Sequence, residues 1–144
     1  MPETHYTLDD NLKMQTAGLV AASAAGTSIR DVGAGFVAGD LLIDVTALEI
    51  ASNDEKYDII LQGSPDAAFG TAGNIQELMA ISLSAKELKA SDSDKDDATG
   101  RYVVPFRNEF GGTTYRYLRL YIVVAGTIAS GINFAAWLVK HKGV

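Results

Sequence analysis

The stretch that decides the fold is Thr113–Lys140, TTYRYLRLYIVVAGTIASGINFAAWLVK. Leu120 to Val139 is an unbroken run of 20 uncharged residues. A run of that length is enough to cross a bilayer as a helix. Its internal order argues otherwise. Tyr115, Tyr117, Arg119, Tyr121 and Val123 alternate with Arg116, Leu118, Leu120, Ile122 and Val124, so an extended chain carries the two sets on opposite faces. Ile132, Phe134, Ala136 and Leu138 alternate in the same way with Asn133, Ala135, Trp137 and Val139. Between the two runs lie Gly126, Thr127, Ser130 and Gly131, small residues that suit a turn. β-branched and aromatic side chains dominate both halves. Period two with a central breaker predicts two strands joined as a hairpin, not a spanning helix.

The same reading extends outward. Leu41–Ile50 alternates, and Tyr57–Gln62 follows the turn residues Ser52-Asn53-Asp54. Arg101–Arg107 is a further strand, and its Pro105 places it at an edge or a bulge, because proline cannot donate to a ladder. Ile75–Ser84 has helix-like spacing at first and strand-like spacing later, which predicts a strand from about Met79. Asn108–Gly112 reads as a turn, and Phe69–Gly73 as loop. Gln15–Asp40 is rich in Ala, Gly and Ser. Gly18, Gly26, Gly33, Gly35 and Gly39 break any useful helix there, leaving short strands near 18–22 and 27–31. Residues 1–16 are polar and loosely alternating, an arm or an edge strand. The expectation is one all-β domain over residues 1–144, with a flexible arm at 1–16. About eight short strands, roughly every 8–15 residues, suggest an antiparallel β-sandwich or barrel.

Composition narrows function. The chain has 144 residues, net charge −6 and no cysteine. The acidic balance argues against a nucleic-acid binder, which neutralises phosphates with a basic patch. Only Arg101, Arg107, Arg116 and Arg119 form a local cationic group able to meet an acidic partner. Disulfide and thiolate chemistry are excluded. The opening MPETHYTLDDNLKM lacks a basic-then-apolar signal, so synthesis in a cytoplasm, without membrane insertion, is expected.

Motifs for catalysis are missing. GAGFVAG lacks both the Lys-Ser/Thr of a phosphate loop and the spacing of a dinucleotide fingerprint. In SDSDKDDATG, Asp92, Asp94 and Asp96 fit the first three ligand positions of a calcium loop. Asp97 then stands where Gly is required, and Val103 where a bidentate Glu is required, so a solvated loop is the simpler reading. His5 and His141 are the only histidines, too few for a cupin-type metal centre. No G-x-S-x-G elbow is present. Asp44, Glu49, Asp58, Glu77 and Glu109 are the acids that paired-carboxylate glycoside hydrolysis would draw on, and nothing in their spacing makes any two converge. No catalytic, metal or cofactor-binding residues are therefore expected. The candidate site is the row Tyr115, Tyr117, Arg119 and Tyr121, since Tyr and Arg concentrate at the energetic centres of protein interfaces.

Three segments, YDIILQGSPDAAFG (57–70), GRYVVPFRNEFGGTTYRYLRLY (100–121) and TIASGINFAAWLVK (127–140), resemble the capsid cement, or decoration, proteins of tailed bacteriophages. The resemblance runs from about Tyr57 to Lys140 and lies in strands and turns. It implies a jelly-roll subunit, a dimer or trimer, that binds the outside of the capsid and reinforces joints between major capsid proteins. It carries no catalytic residues and no cofactor. Two other readings stay open: a carbohydrate-binding jelly roll using Trp137 and the tyrosine row, and another virion component of the head–tail junction or a fibre.

Overall fold

A computed structural model describes residues 8–86 and 97–140 of the chain. Eleven strands and two single-turn 3₁₀ helices make up the secondary structure of these residues. In chain order the strands are β1 (Lys13–Gln15), β2 (Leu19–Val20), β3 (Ala24–Asp31), β4 (Ala38–Leu48), β5 (Lys56–Ser64), β6 (Gln76–Ser84), β7 (Gly100–Arg107), β8 (Glu109–Phe110), β9 (Thr113–Thr114), β10 (Tyr117–Ala125) and β11 (Ile132–Lys140). No helix among the described residues is long and apolar enough to cross a membrane.

All the pairings are antiparallel. The first sheet has the order β1-β11-β4-β7, with β2 also on β11, and the second has the order β3-β10-β5-β6. β8 and β9 form a separate small ribbon. The fold is an all-β sandwich. The eight expected strands are β2 to β7, β10 and β11, and the short pieces β1, β8 and β9 add to them.

One core lies between the sheets. Leu41, Ile43 and Val45 of β4 and Ile132, Phe134, Ala136 and Leu138 of β11 face Tyr57, Ile59 and Leu61 of β5 and Leu118, Leu120 and Ile122 of β10. Burying a side chain of this size stabilises by about 1.5–3 kcal/mol. A one-residue slip of β10 would expose three such residues and bury Arg119 in their place, so the hydrophobic pattern sets the register.

The predicted hairpin between the last two long strands does not form. β10 pairs with β3 and β5 in the second sheet, while β11 pairs with β1, β2 and β4 in the first. Alternation marks each run as a strand but does not name its partner. Residues 126–131 are instead an arch that crosses the sandwich. Gly126 (φ 97°) and Gly131 (φ 91°) adopt left-handed conformations that favour glycine. A Cβ on Gly131 would strike the Val20 carbonyl, and one on Gly126 the Asp54 carbonyl.

The arch docks on the parallel crossing between β4 and β5. The Glu49 carboxylate accepts hydrogen bonds from the backbone N–H groups of Gly131 (2.7 Å), Ala129 (2.9 Å) and Ser130 (2.8 Å). The Asp54 carboxylate accepts from the Thr127 N–H (3.0 Å) and hydroxyl (2.8 Å). Buried Glu55 closes its own loop by accepting from the N–H groups of Ser52 and Asp54. The Tyr57 hydroxyl donates to the Glu49 carbonyl at 2.8 Å, and its pKa is pushed up to about 12, by burial and then by the charges of Glu49 and Glu55.

Three further expectations are revised. Residues 76–78 are strand from the outset, not a helical lead-in to Met79. A bulge sets Leu61 opposite Met79 but Gln62 opposite Glu77, which leaves Leu78 as the extra residue and brings two consecutive apolar side chains to half-buried positions. That doubling imitates helical spacing. Of the two readings of residues 1–16, an arm or an edge strand, the described second half takes the second and not the flexible arm: β1 pairs with β11 at the edge of the first sheet, and Met14 is completely buried. Residues 1–7 lie outside the described residues. The predicted turn at 108–112 contains part of the β8–β9 ribbon. Buried Asn108 ties it down, its Oδ1 accepting from the Val37 N–H and its Nδ2 donating to the carbonyls of Gly35 and Tyr115. Pro105 stands where expected, on β7 at the edge of the first sheet.

The arch can be tested in two ways. Gly131→Ala combines a strained φ with a backbone collision and is expected to cost about 2 kcal/mol or more, lowering Tm by about 6 °C or more. Gly18→Ala meets nothing within 4 Å and is expected to melt like the parent; equal melting of both variants would contradict the arch geometry. The second test uses pH. The N–H groups of Gly131, Ala129 and Ser130 hold the Glu49 carboxyl below its ordinary value of 4.5. A carboxyl depressed by folding contributes stability that is complete above its unfolded pKa and is lost as pH falls through the folded one. Wild-type Tm is therefore expected to fall more steeply below about pH 4.5 than that of Glu49→Gln, which starts lower at pH 7. Identical acid slopes in calorimetry would show that the carboxylate does not hold the arch.

Candidate functional site

β10 lies inside the second sheet, flanked by β3 and β5. Its even-numbered residues Leu118, Leu120 and Ile122 are completely buried in the core. Its odd-numbered residues therefore face outward. Tyr117 lies opposite Asp31 and Ser64, Arg119 opposite Ile29 and Gln62, and Tyr121 opposite Ala25 and Ile60. All three are half-buried, and Ile29 beside them is 41% exposed.

Tyr115 does not join them. Cross-strand partners share a face, and Gly63 is the partner of the core residue Leu118. A Cβ on Gly63 would stand 2.7 Å from that of Tyr115, so Tyr115 packs over the inward side of the sheet. The reason is local. β10 begins only at Tyr117, and a bend at Arg116 breaks the alternation before it. Asn108 holds Tyr115 in that position, accepting from its N–H at 2.8 Å and donating to its carbonyl at 2.9 Å. The predicted row of four is a row of three.

The loop after β5 supplies a residue that the sequence reading left out. The Asp66 carboxylate accepts from the N–H groups of Ala68 (3.0 Å) and Gly70 (2.8 Å), which holds its pKa low. The Asp66 N–H donates to the Ser64 hydroxyl at 3.0 Å. This turn carries Phe69 at φ 52°, an uncommon conformation for a bulky residue. The ring is buried against Arg119, whose guanidinium carbon lies 4.4 Å from the Phe69 centroid and 5.9 Å from that of Tyr121. Arg119 Nε donates to Gln62 Oε1 at 2.8 Å. The Asp-x-Ala-Phe-Gly pattern after a strand is the one available signal, and it announces a turn without saying where Phe69 points.

The four arginines expected as a cationic cluster are dispersed. Arg101 of β7 forms a two-pronged ion pair with Asp44 of β4, at 2.7 and 3.0 Å, on the first sheet. Arg107 meets Glu109 at 3.4 Å. Arg116 grips Asp31 at 2.8 and 2.9 Å. Those hydrogen bonds are the main cause of a lowered Asp31 pKa and a raised Arg116 pKa. Arg119 has no carboxylate among the described residues.

Other candidates are scattered. Trp137 lies on the outer face of the first sheet with Lys13 Nζ 5.3 Å from its ring centroid, across the sandwich from the tyrosines. The two sets of aromatics do not build one sugar platform. Of the five acids considered for hydrolysis, Glu49 is in the arch, Asp44 and Glu109 are ion-paired, and Asp58 is 3.2 Å from Lys56 Nζ. Asp58 and Glu77 do line one shallow depression of about 270 Å³ on the second sheet, with Ile60, Ala80, Ile81 and Ser82. Asp92, Asp94, Asp96, His5 and His141 lie outside the described residues, and among the described residues no three His, Cys, Asp or Glu could hold a metal ion. No protein-family model matches the chain, and no curated protein matches it.

Proposed function

We propose that this chain is a structural virion protein that attaches to the outside of a tailed-phage capsid and cements neighbouring copies of the major capsid protein. The observation that carries the proposal is the outer face of β10. Tyr117, Arg119 and Tyr121 stand half-buried in a line, with Ile29, Ile60 and Gln62 on the flanking strands. Aromatic residues and Arg are what the cores of protein interfaces accumulate. Large rings supply contact area at modest entropic cost, because they have few rotatable bonds. The fold agrees with the resemblance in the three segments between Tyr57 and Lys140. The strand order β1-β11-β4-β7 facing β3-β10-β5-β6 supports the jelly-roll winding that the resemblance implies. On this reading the partners are the major capsid protein and further copies of the chain itself. Nucleic acid is not a partner, since a net charge of −6 repels phosphates. The work is mechanical, and no bond is made or broken.

The variant carrying Tyr117→Ala and Arg119→Ala tests this face. Both side chains point away from the core, so the circular dichroism spectrum and cooperative melting are expected to persist. Truncation at an interface centre costs about 2 kcal/mol or more per residue, so co-sedimentation with the phage's own expanded shells is expected to weaken at least ~30-fold. A folded double variant that binds shells as tightly as the parent would place the contact elsewhere. A parent protein with no affinity for those shells would overturn the cement reading.

A further inference from the structure

We propose that Arg119 is a preassembled receptor for a single carboxylate, an aspartate or glutamate side chain of the protein on which the domain docks. This inference rests on the docking reading above and adds the chemistry of the contact.

The charge inventory points there first. The chain has 18 acidic and 12 basic residues, so acids outnumber the bases that could pair with them. Arg101, Arg107 and Arg116 have all found carboxylates. Arg30 instead donates to the carbonyls of Lys13 and Asp10. Arg119 also meets only neutral groups among the described residues, but it does so on the outer face of β10: Nε on the Gln62 amide oxygen, with Phe69 and Tyr121 near its faces. A half-buried cation surrounded by rings is poorly solvated, and a carboxylate is its natural complement.

The surroundings fix the guanidinium before any ligand arrives. Gln62 stands directly opposite Arg119 on β5, so its amide meets Nε without either side chain reaching. Phe69 is delivered by the Asp66-centred turn, in a backbone conformation that only its surroundings can hold. With Nε engaged, the two terminal nitrogens keep the parallel N–H pair that matches both oxygens of a carboxylate. Lysine could not replace this arrangement, having neither the plane that stacks nor the fork.

The test uses the folded full chain and two readouts. In the first, the Arg119 Nε–Hε resonance is followed by NMR during addition of hexaglutamate, hexaglutamine or an oligothymidylate. Hexaglutamate is expected to shift it in a saturable way and hexaglutamine not to. Phe69→Ala, with an unchanged circular dichroism spectrum, is expected to weaken the hexaglutamate response several-fold. In the second, Arg119→Lys, which conserves charge, is expected to bind the phage's own shells at least ten-fold more weakly than the parent. If the parent and Arg119→Lys bind shells equally, the receptor is wrong and the docking reading stands. If the parent ignores shells but Arg119 answers hexaglutamate, the receptor stands and the docking reading falls. A resonance that moves equally with hexaglutamine, or more with oligothymidylate than with hexaglutamate, overturns the carboxylate assignment.

Discussion

The structure depends on the way the Glu49 carboxylate gathers the backbone N–H groups of Ala129, Ser130 and Gly131. Those three donors belong to an arch that must cross from one sheet to the other, and a crossing chain gives up ladder partners it would have in a hairpin. An ionised acceptor is among the strongest replacements available. Glu49 sits at the end of β4 and Asp54 just before β5, so the crossing from β4 to β5 braces the crossing from β10 to β11. With both crossings held, two central strands of each sheet are placed, and their apolar rows face one another across a single core. The glycines at 126 and 131 are the steric half of the same device, since the arch approaches the β4–β5 crossing at Asp54 and the end of β2 at Val20 too closely for a Cβ.

The placement of β10 then divides its side chains between two tasks. Leu118, Leu120 and Ile122 belong to the core, and the residues between them are left on the outer face. Period two allows no compromise, because a slip by one residue exchanges the two sets completely. The outer set could have been small and charged, as on many solvated sheet faces. It is instead Tyr, Arg and Tyr, with a buried phenylalanine brought in from a neighbouring loop. Such a face is costly to leave in water and useful to cover. The edges show the opposite policy: β7 carries Pro105, and β1 is only three residues long, features that discourage indiscriminate strand pairing. The proposed contact is therefore made by the face rather than by the edge of the first sheet.

Much of this was legible before any coordinates. The alternation in 117–125, 132–140 and 41–48 identified strands and their inward rows, because one buried face imposes a pattern that local composition records. Pro105 announced an edge. What failed was whatever depends on partners distant in sequence. The two last strands looked like a hairpin because a turn-rich link cannot say whether it reverses within a sheet or crosses between sheets. Leu78 and Met79 looked helical because a bulge spoils the period. Tyr115 was grouped with Tyr117 because the bend at Arg116 has no glycine or proline to betray it. The arginines looked like one basic group although Asp44, Glu109 and Asp31 neutralise three of them at separate places. Phe69 was read as loop, since its position over Arg119 arises from a turn conformation that phenylalanine seldom adopts.

Thiol labelling of single-cysteine variants tests the division of β10 most directly, and the absence of native cysteine makes it clean. Tyr121→Cys and Leu120→Cys would be labelled with a maleimide in the native protein, with and without the phage's own expanded shells. The thiol at 121 is expected to react readily in the free protein and to be protected by shells, while the thiol at 120 reacts only at the rate of unfolding in both cases. A thiol at 121 that is as slow as the one at 120 in the free protein, or one that shells leave equally reactive, would contradict the assignment of this face as the docking surface.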